Sequence, residues 1–104
     1  MKRPNKVNTL LSILRQSIET GRYLDTRHAR ERSTDRSITR PEIIYVLKSG
    51  RHEKNKDKFE DKFEGKFNCW NYAIRGRTVD KRDLRIIVSF DLEGMLIITA
   101  IEVS

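Results

Sequence analysis

Apolar residues recur at helical spacing over residues 7–19, where Val7, Leu10, Leu11, Ile13, Leu14 and Ile18 fall three or four apart and so share one helix face. Gly21 stands where such a helix ends, because glycine accepts the left-handed backbone that closes a helix. A short stretch centred on Tyr23 and Leu24 follows, too brief to separate a strand from an extended connector. Thr26 then offers an N-cap oxygen to a second helix over residues 27–36. Its one apolar member is Ala29, so burial cannot hold it and it lies on the surface. In the third helix Thr39 and Glu42 have capping-box spacing, Pro41 suits the first turn, and Ile43, Ile44, Val46 and Leu47 precede Gly50, which ends it.

Further along, the period shortens from helical to two. Residues 69–75, 84–90 and 95–103 are rich in β-branched and aromatic side chains and read as strands, with a hairpin connection at residues 91–94. Leu84, Ile86, Val88 and Phe90 share one face of the middle strand, Arg85, Ile87 and Ser89 the other. Trp70, Tyr72 and Ile74 alternate in the same way with Asn71, Ala73 and Arg75. With the apolar set against the helices, Asn71, Arg75, Arg85 and Ser89 share the open face. Between helices and strands, residues 55–67 carry three Lys-Phe pairs at a period of four, which suits a helix face or a strand face equally, and they read as a loop or marginal helix leading into the sheet. Their phenylalanines are base-stacking aromatics between phosphate-binding lysines, core residues, or a docking edge for another protein.

The pattern gives a small α+β domain, helices first and strands in the last third. At 104 residues the chain supports one domain, residues 1–104, in which a leading amphipathic helix (1–21) precedes the main unit (22–104). Charge adds a direction to this picture. The net charge is +7, and residues 1–40 hold ten Lys/Arg against four Asp/Glu, while the rest of the chain is nearly balanced. Such a surface attracts polyanions before any specific contact forms. Cys69 is the single cysteine, which excludes an intramolecular disulfide and fits a reducing, cytoplasmic setting. The first apolar stretch is broken by Ser12, Arg15, Gln16 and Ser17, so neither a signal-peptide core nor a membrane span is expected.

Residues 22–40 concentrate the candidate chemistry: six arginines and His28. On a helix His28, Arg32 and Arg36 form one ridge, and an imidazole beside guanidinium groups suits phosphodiester cleavage, with the imidazole moving a proton and the arginines neutralising phosphate charge. The bland alternative is a solvated helix laced with pairs to Glu31 and Asp35. For Arg75 and Arg85 it is cross-strand pairing with Glu102 or Asp83. Candidate catalytic residues are therefore His28, Arg32, Arg75 and Arg85, and candidate RNA contacts are Arg27, Arg30, Arg36, Arg40, Lys81 and Arg82. His28, His52 and Cys69 are too scattered for a zinc site, and neither a carboxylate cluster for a two-metal nuclease nor a Gly-rich phosphate loop is present, so no metal or cofactor is expected. His52, just past a helix end, reads as a surface residue facing the helix dipole.

Thr26-Arg27-His28-Ala29 with Arg32 and Arg36, then Ile38, Glu42, Ile43, Val46 and Gly50, and finally residues 84–88, Gly94 and Ile98-Thr99, resemble the domain of unknown function 4258 family, grouped with the RelE/ParE-like and MqsR-like toxins of toxin-antitoxin systems. The likeness implies a RelE-like toxin fold, α+β with N-terminal helices packed on a twisted antiparallel sheet, and metal-independent cleavage of mRNA, free or on the ribosome, restrained by an antitoxin protein, with His28 and Arg32 matching the family's His-Ala and following Arg. Ser37 stands where the family commonly has glycine, and Ile101 where many members have an aromatic residue. Two further expectations compete with the toxin: a non-catalytic module that coats nucleic acid or ribosomal surfaces, and a protein-interaction domain that pairs its basic face with an acidic partner.

Overall fold

A computed structural model describes residues 9–25, 38–63, 67–90 and 94–103. Among these, two helices lie against one face of an open six-stranded sheet. Helix α1 (Leu10–Thr20) ends at Gly21, whose φ of 72° lets Arg22 N–H reach back to the Ser17 carbonyl at 2.9 Å. Helix α2 (Arg40–Ser49) opens on the expected capping box: Glu42 N–H donates to Thr39 Oγ1, and Thr39 N–H donates to Glu42 Oε1 at 2.9 Å. The predicted arginine-rich helix over residues 27–36 lies outside the described residues. No helix among the described residues is long and apolar enough to cross a membrane.

The strands are β1 (Tyr23–Asp25), β2 (Arg51–His52), β3 (Lys58–Phe63), β4 (Phe67–Arg77), β5 (Asp83–Phe90) and β6 (Met95–Glu102). They run in the order β1-β6-β5-β4-β2, with β3 also paired to β4. The sheet is mixed, against the antiparallel expectation, because β1 lies parallel to β6 with Tyr23 opposite Met95. Once Gly21 has closed α1, the chain turns along β6, and Met95 N–H donates to the Arg22 carbonyl at 3.1 Å. The segment of Lys-Phe pairs also differs from expectation. A single 3-10 turn at Lys54–Lys56 leads into β3, an extended strand that pairs with the front half of β4, and Phe59 stacks edge-on against Trp70. The free edge of β4 takes the segment as a strand, a choice that a four-residue period left open.

The core lies between the helices and the inner face of the sheet. Leu10 and Leu14 of α1, Ile43, Val46 and Leu47 of α2, and Tyr72, Ile74, Leu84, Ile86, Val88, Met95 and Ile97 of the sheet are buried together. The residues assigned to the inner faces of β4 and β5 by alternation are thus those that meet the helices. Two glycines set how closely α2 approaches. A Cβ on Gly50 would lie 2.6 Å from the carbonyl oxygens of Arg75 and Val46, and one on Gly76 would lie 3.1 Å from the Gly50 Cα. Backbone therefore rests on backbone where α2 meets β4. Gly50→Ala should cost about 1–3 kcal/mol, as overpacking does at a site that cannot relax, measured as a lower urea midpoint; Gly76→Ala, with more room, should cost less.

Candidate basic groove on the open face of the sheet

Strand β4 changes edge partner along its length, and that change builds the site. His52 pairs with Ile74 in β2, and Lys58 pairs with Asn71 in β3, so residues 53–57 must arch past Ala73. The arch satisfies the backbone it bypasses. Glu53 N–H donates to the Ala73 carbonyl at 2.8 Å, and Ala73 N–H donates to Asp57 Oδ1 at 3.1 Å. No backbone group of Ala73 is left to a buried penalty. The Asp57 side chain is fully buried and is held from the other side by His52, whose Nε2 lies 2.8 Å from Asp57 Oδ2. A carboxylate only accepts, so Nε2 donates. Contrary to expectation, His52 is no loose surface residue: it is mostly buried, it packs edge-on against Tyr72, and with Asp57 it pins the arch to the sheet. Strand pairing carried it there, which its place after a helix end could not reveal.

The arch sets the Glu53 side chain against two arginines on the open face. Arg75 and Arg85 are direct cross-strand partners, an arrangement in which like charges repel. Glu53 lies against both: Arg85 Nε donates to Glu53 Oε1 at 2.6 Å, and Arg75 Nη1 donates to Oε2 at 3.1 Å. Asp83 completes the network by accepting two bonds from Arg75, at 2.9 and 2.7 Å. Hydrogen bonding from Arg85, then from Arg75, holds the Glu53 carboxyl below its ordinary range against the opposing effect of burial. Asp83 is lowered chiefly by Arg75, with smaller contributions from Arg77 and Arg51. Arg75 is raised in turn, first by Asp83 and then by Glu53. Of the two partners that sequence offered for these arginines, Asp83 is used. Glu102 instead pairs with Arg82, and Glu53 was not foreseen.

Beside this network a groove of about 390 Å³ opens. Lys56 from the turn and Lys58 from β3 are exposed at it, and neither makes an ion pair with a described residue. Arg85 and Asn71 line it from β5 and β4, and Ile87, Ile98, Thr99 and Ile101 complete it from β5 and β6. A bulge in β6 creates part of this lining: Ile87 pairs with Thr99 but Val88 pairs with Ile97, so Ile98 is an extra residue. Ile98 and Thr99 consequently both reach the groove, which alternation alone forbids.

The remaining expected RNA contacts are dispersed. Arg82 is bound to Glu42 at 3.1 Å and Glu102 at 3.0 Å, tying the start of β5 to the helix layer and to β6. Lys81 is exposed in the turn before β5, in the left-handed conformation at φ 66°. Arg40 lies over the Tyr23 ring, 5.9 Å from its centroid. Ser89 donates to the Trp70 carbonyl at 3.1 Å, a structural bond rather than part of a site. His28, Arg32, Arg27, Arg30 and Arg36 lie outside the described residues. Among the described residues no three metal-ligating side chains come together.

These features define a small α+β domain that buries one face of a mixed sheet beneath helices and carries a basic groove on the other. The chain belongs to the domain of unknown function (DUF4258) family, whose model matches residues 26–102. No curated protein and no solved structure matches it.

The carboxylates of this network, and Glu42 with them, have lowered pKa values, Glu42 mainly through its hydrogen bond from the Thr39 backbone. A carboxylate whose folded pKa lies below its unfolded one stabilises the fold above the unfolded value, and that stabilisation is lost as pH falls through the folded one. Stability should therefore hold near neutral pH and decline as the medium passes below the ordinary carboxylate range, near pH 4. Glu53→Gln should lower the urea midpoint at pH 7 and make the decline between pH 5 and pH 2 shallower. Equal slopes in variant and parent would remove Glu53 from the acid dependence.

Proposed function

We propose that this chain is an RNA-binding domain of the toxin class that cleaves an RNA strand laid across the open face of its sheet, without metal and under the restraint of an antitoxin protein. One observation carries the binding: Lys56 and Lys58 stand exposed at a groove with no ion pair to a described residue, while other cations beside them are already paired. Lysines in this state release counterions when they meet phosphate, the dominant source of affinity for nucleic acid. Cleavage rests on the spacing of His28, Arg32 and Arg36 and on the resemblance to the RelE/ParE-like and MqsR-like toxins. In that reaction His28 takes the proton of the RNA 2′-hydroxyl, the 2′-oxygen attacks the adjacent phosphorus as the P–O5′ bond breaks, and the leaving 5′-oxygen takes a proton from water. The products are a 2′,3′-cyclic phosphate and a 5′-hydroxyl.

Arg75 and Arg85 enter differently from the sequence-based expectation. Arg85, bound to Glu53, forms part of the groove wall, while Arg75 is held by Glu53 and Asp83 and is not among the lining residues. The same pairing favours a second reading, a non-catalytic module that holds RNA without cutting it. A gel of RNA incubated with the purified protein, with and without EDTA, separates the two. Cleavage undiminished by EDTA with cyclic phosphate ends is expected, and His28→Ala should slow it by about 10²- to 10⁴-fold. Retention of intact RNA with a steep salt dependence would establish the second reading instead.

A further inference from the structure

The groove has two kinds of surface, and their combination identifies what enters it. Lys56 and Lys58 line it from the turn and from β3, supplying positive charge. Ile87, Ile98 and Ile101, from β5 and β6, give it an apolar lining on the outer face of a sheet. An anion alone has no use for the isoleucines, and an apolar ligand has none for the lysines. Thr99 adds a hydroxyl, a group that hydrogen-bonds the polar edge of a flat heterocycle. The volume, about 390 Å³, falls in the range of pockets that enclose a small molecule and is far too small for a helix of nucleic acid.

We infer that the groove is a single-nucleotide subsite for unpaired RNA, in which a base lies against Ile87, Ile98 and Ile101 while the adjoining phosphates meet Lys56 and Lys58. This deepens the proposed function and rests on its RNA-binding half, not on cleavage. Single-stranded RNA is recognised through bases splayed out of the stack, whereas a duplex must first unpair and flip a base to fill such a site. The β6 bulge is the local device responsible, since it turns Ile98 toward the groove beside Thr99 where a regular strand would turn one of them away.

Binding is measured with a short 2′-O-methyl oligouridine, which lacks the free 2′-hydroxyl and so survives any cleavage activity. An abasic strand with the same number of phosphates, the duplex of the same sequence, and a polyglutamate peptide serve as comparisons. The single strand should bind about tenfold more tightly than the abasic strand or the duplex. Ile101→Thr should remove most of that preference and leave the abasic strand's affinity unchanged; Ile98→Thr repeats the test should the first variant fail to fold. The double substitution Lys56→Gln, Lys58→Gln should weaken both strands and flatten the salt dependence of the single strand by roughly 1.4, from about 0.7 per phosphate contact. If the abasic strand or the duplex binds as well as the single strand, the base subsite is overturned while RNA binding stands. If no nucleic acid binds and polyglutamate does, through the same lysines, both fall.

Discussion

Two arginines face each other across neighbouring strands at the centre of this sheet, and the rest of the open face is arranged around them. Arg75 and Arg85 are cross-strand partners whose repulsion must be offset, and the one carboxylate their strands supply, Asp83 of β5, bonds to Arg75 and not to Arg85. Glu53 meets the need from outside β4 and β5, because the chain arches off the edge of β4 at Ala73 and brings its side chain over the pair. That contact holds one end of the arch. With Glu53 held at one end, and Asp57 buried against His52 and the Ala73 amide at the other, the turn between them presents Lys56, and β3 begins in register with β4 at Lys58.

The cations near the groove thus divide into two kinds. Arg75 and Arg85 are bound to carboxylates and act as structural links across the strands, as Arg82, away from the groove, does from the start of β5 to the helix layer and β6. Lys56 and Lys58 are exposed at the groove without such partners among the described residues. A guanidinium suits the first role, since its planar fork engages one or two carboxylates with fixed geometry, and an ammonium on a flexible stem suits the second, since it follows a ligand that moves. Net charge is a property of the whole chain; the pairing pattern singles out Lys56 and Lys58 as the exposed cations at the groove.

The two faces of the sheet answer different demands. Against the helices, packing is close enough that Gly50 and Gly76 meet backbone to backbone, leaving no room for a side chain at Gly50 and little at Gly76. Regularity is kept there, and the inner residues of β5 alternate without interruption. On the open face the bulge at Ile98 breaks the alternation of β6 while its core-facing residues, Ile97 and Ala100, stay buried on either side. An extra residue can be absorbed in this way because the strand bends at the bulge and resumes its inward register beyond it.

Much of the architecture was legible in the sequence, since it rests on local rules. The helical spacing up to Gly21, the capping box at Thr39, and the alternation of residues 70–75 and 84–90 each depend on neighbours a few positions apart, and each reappears in the structure. The candidate site was less legible. Asn71, Arg75 and Arg85 were assigned to the open face by alternation, but the neutralisation of the arginines by Glu53 depends on a contact across 22 and 32 residues. Lys56, Lys58, Ile98 and Ile101 belong to a groove only because β3 took the edge of β4 and β6 gained a bulge, outcomes of strand pairing that no local period encodes. His52 is the sharpest case. Its sequence neighbours place it at a helix end, and the pairing of β2 with β4, together with the buried carboxylate of Asp57, makes it a pin of the sheet. Periodicity tells a side chain which face it occupies; the pairing of strands distant in sequence decides what it meets there.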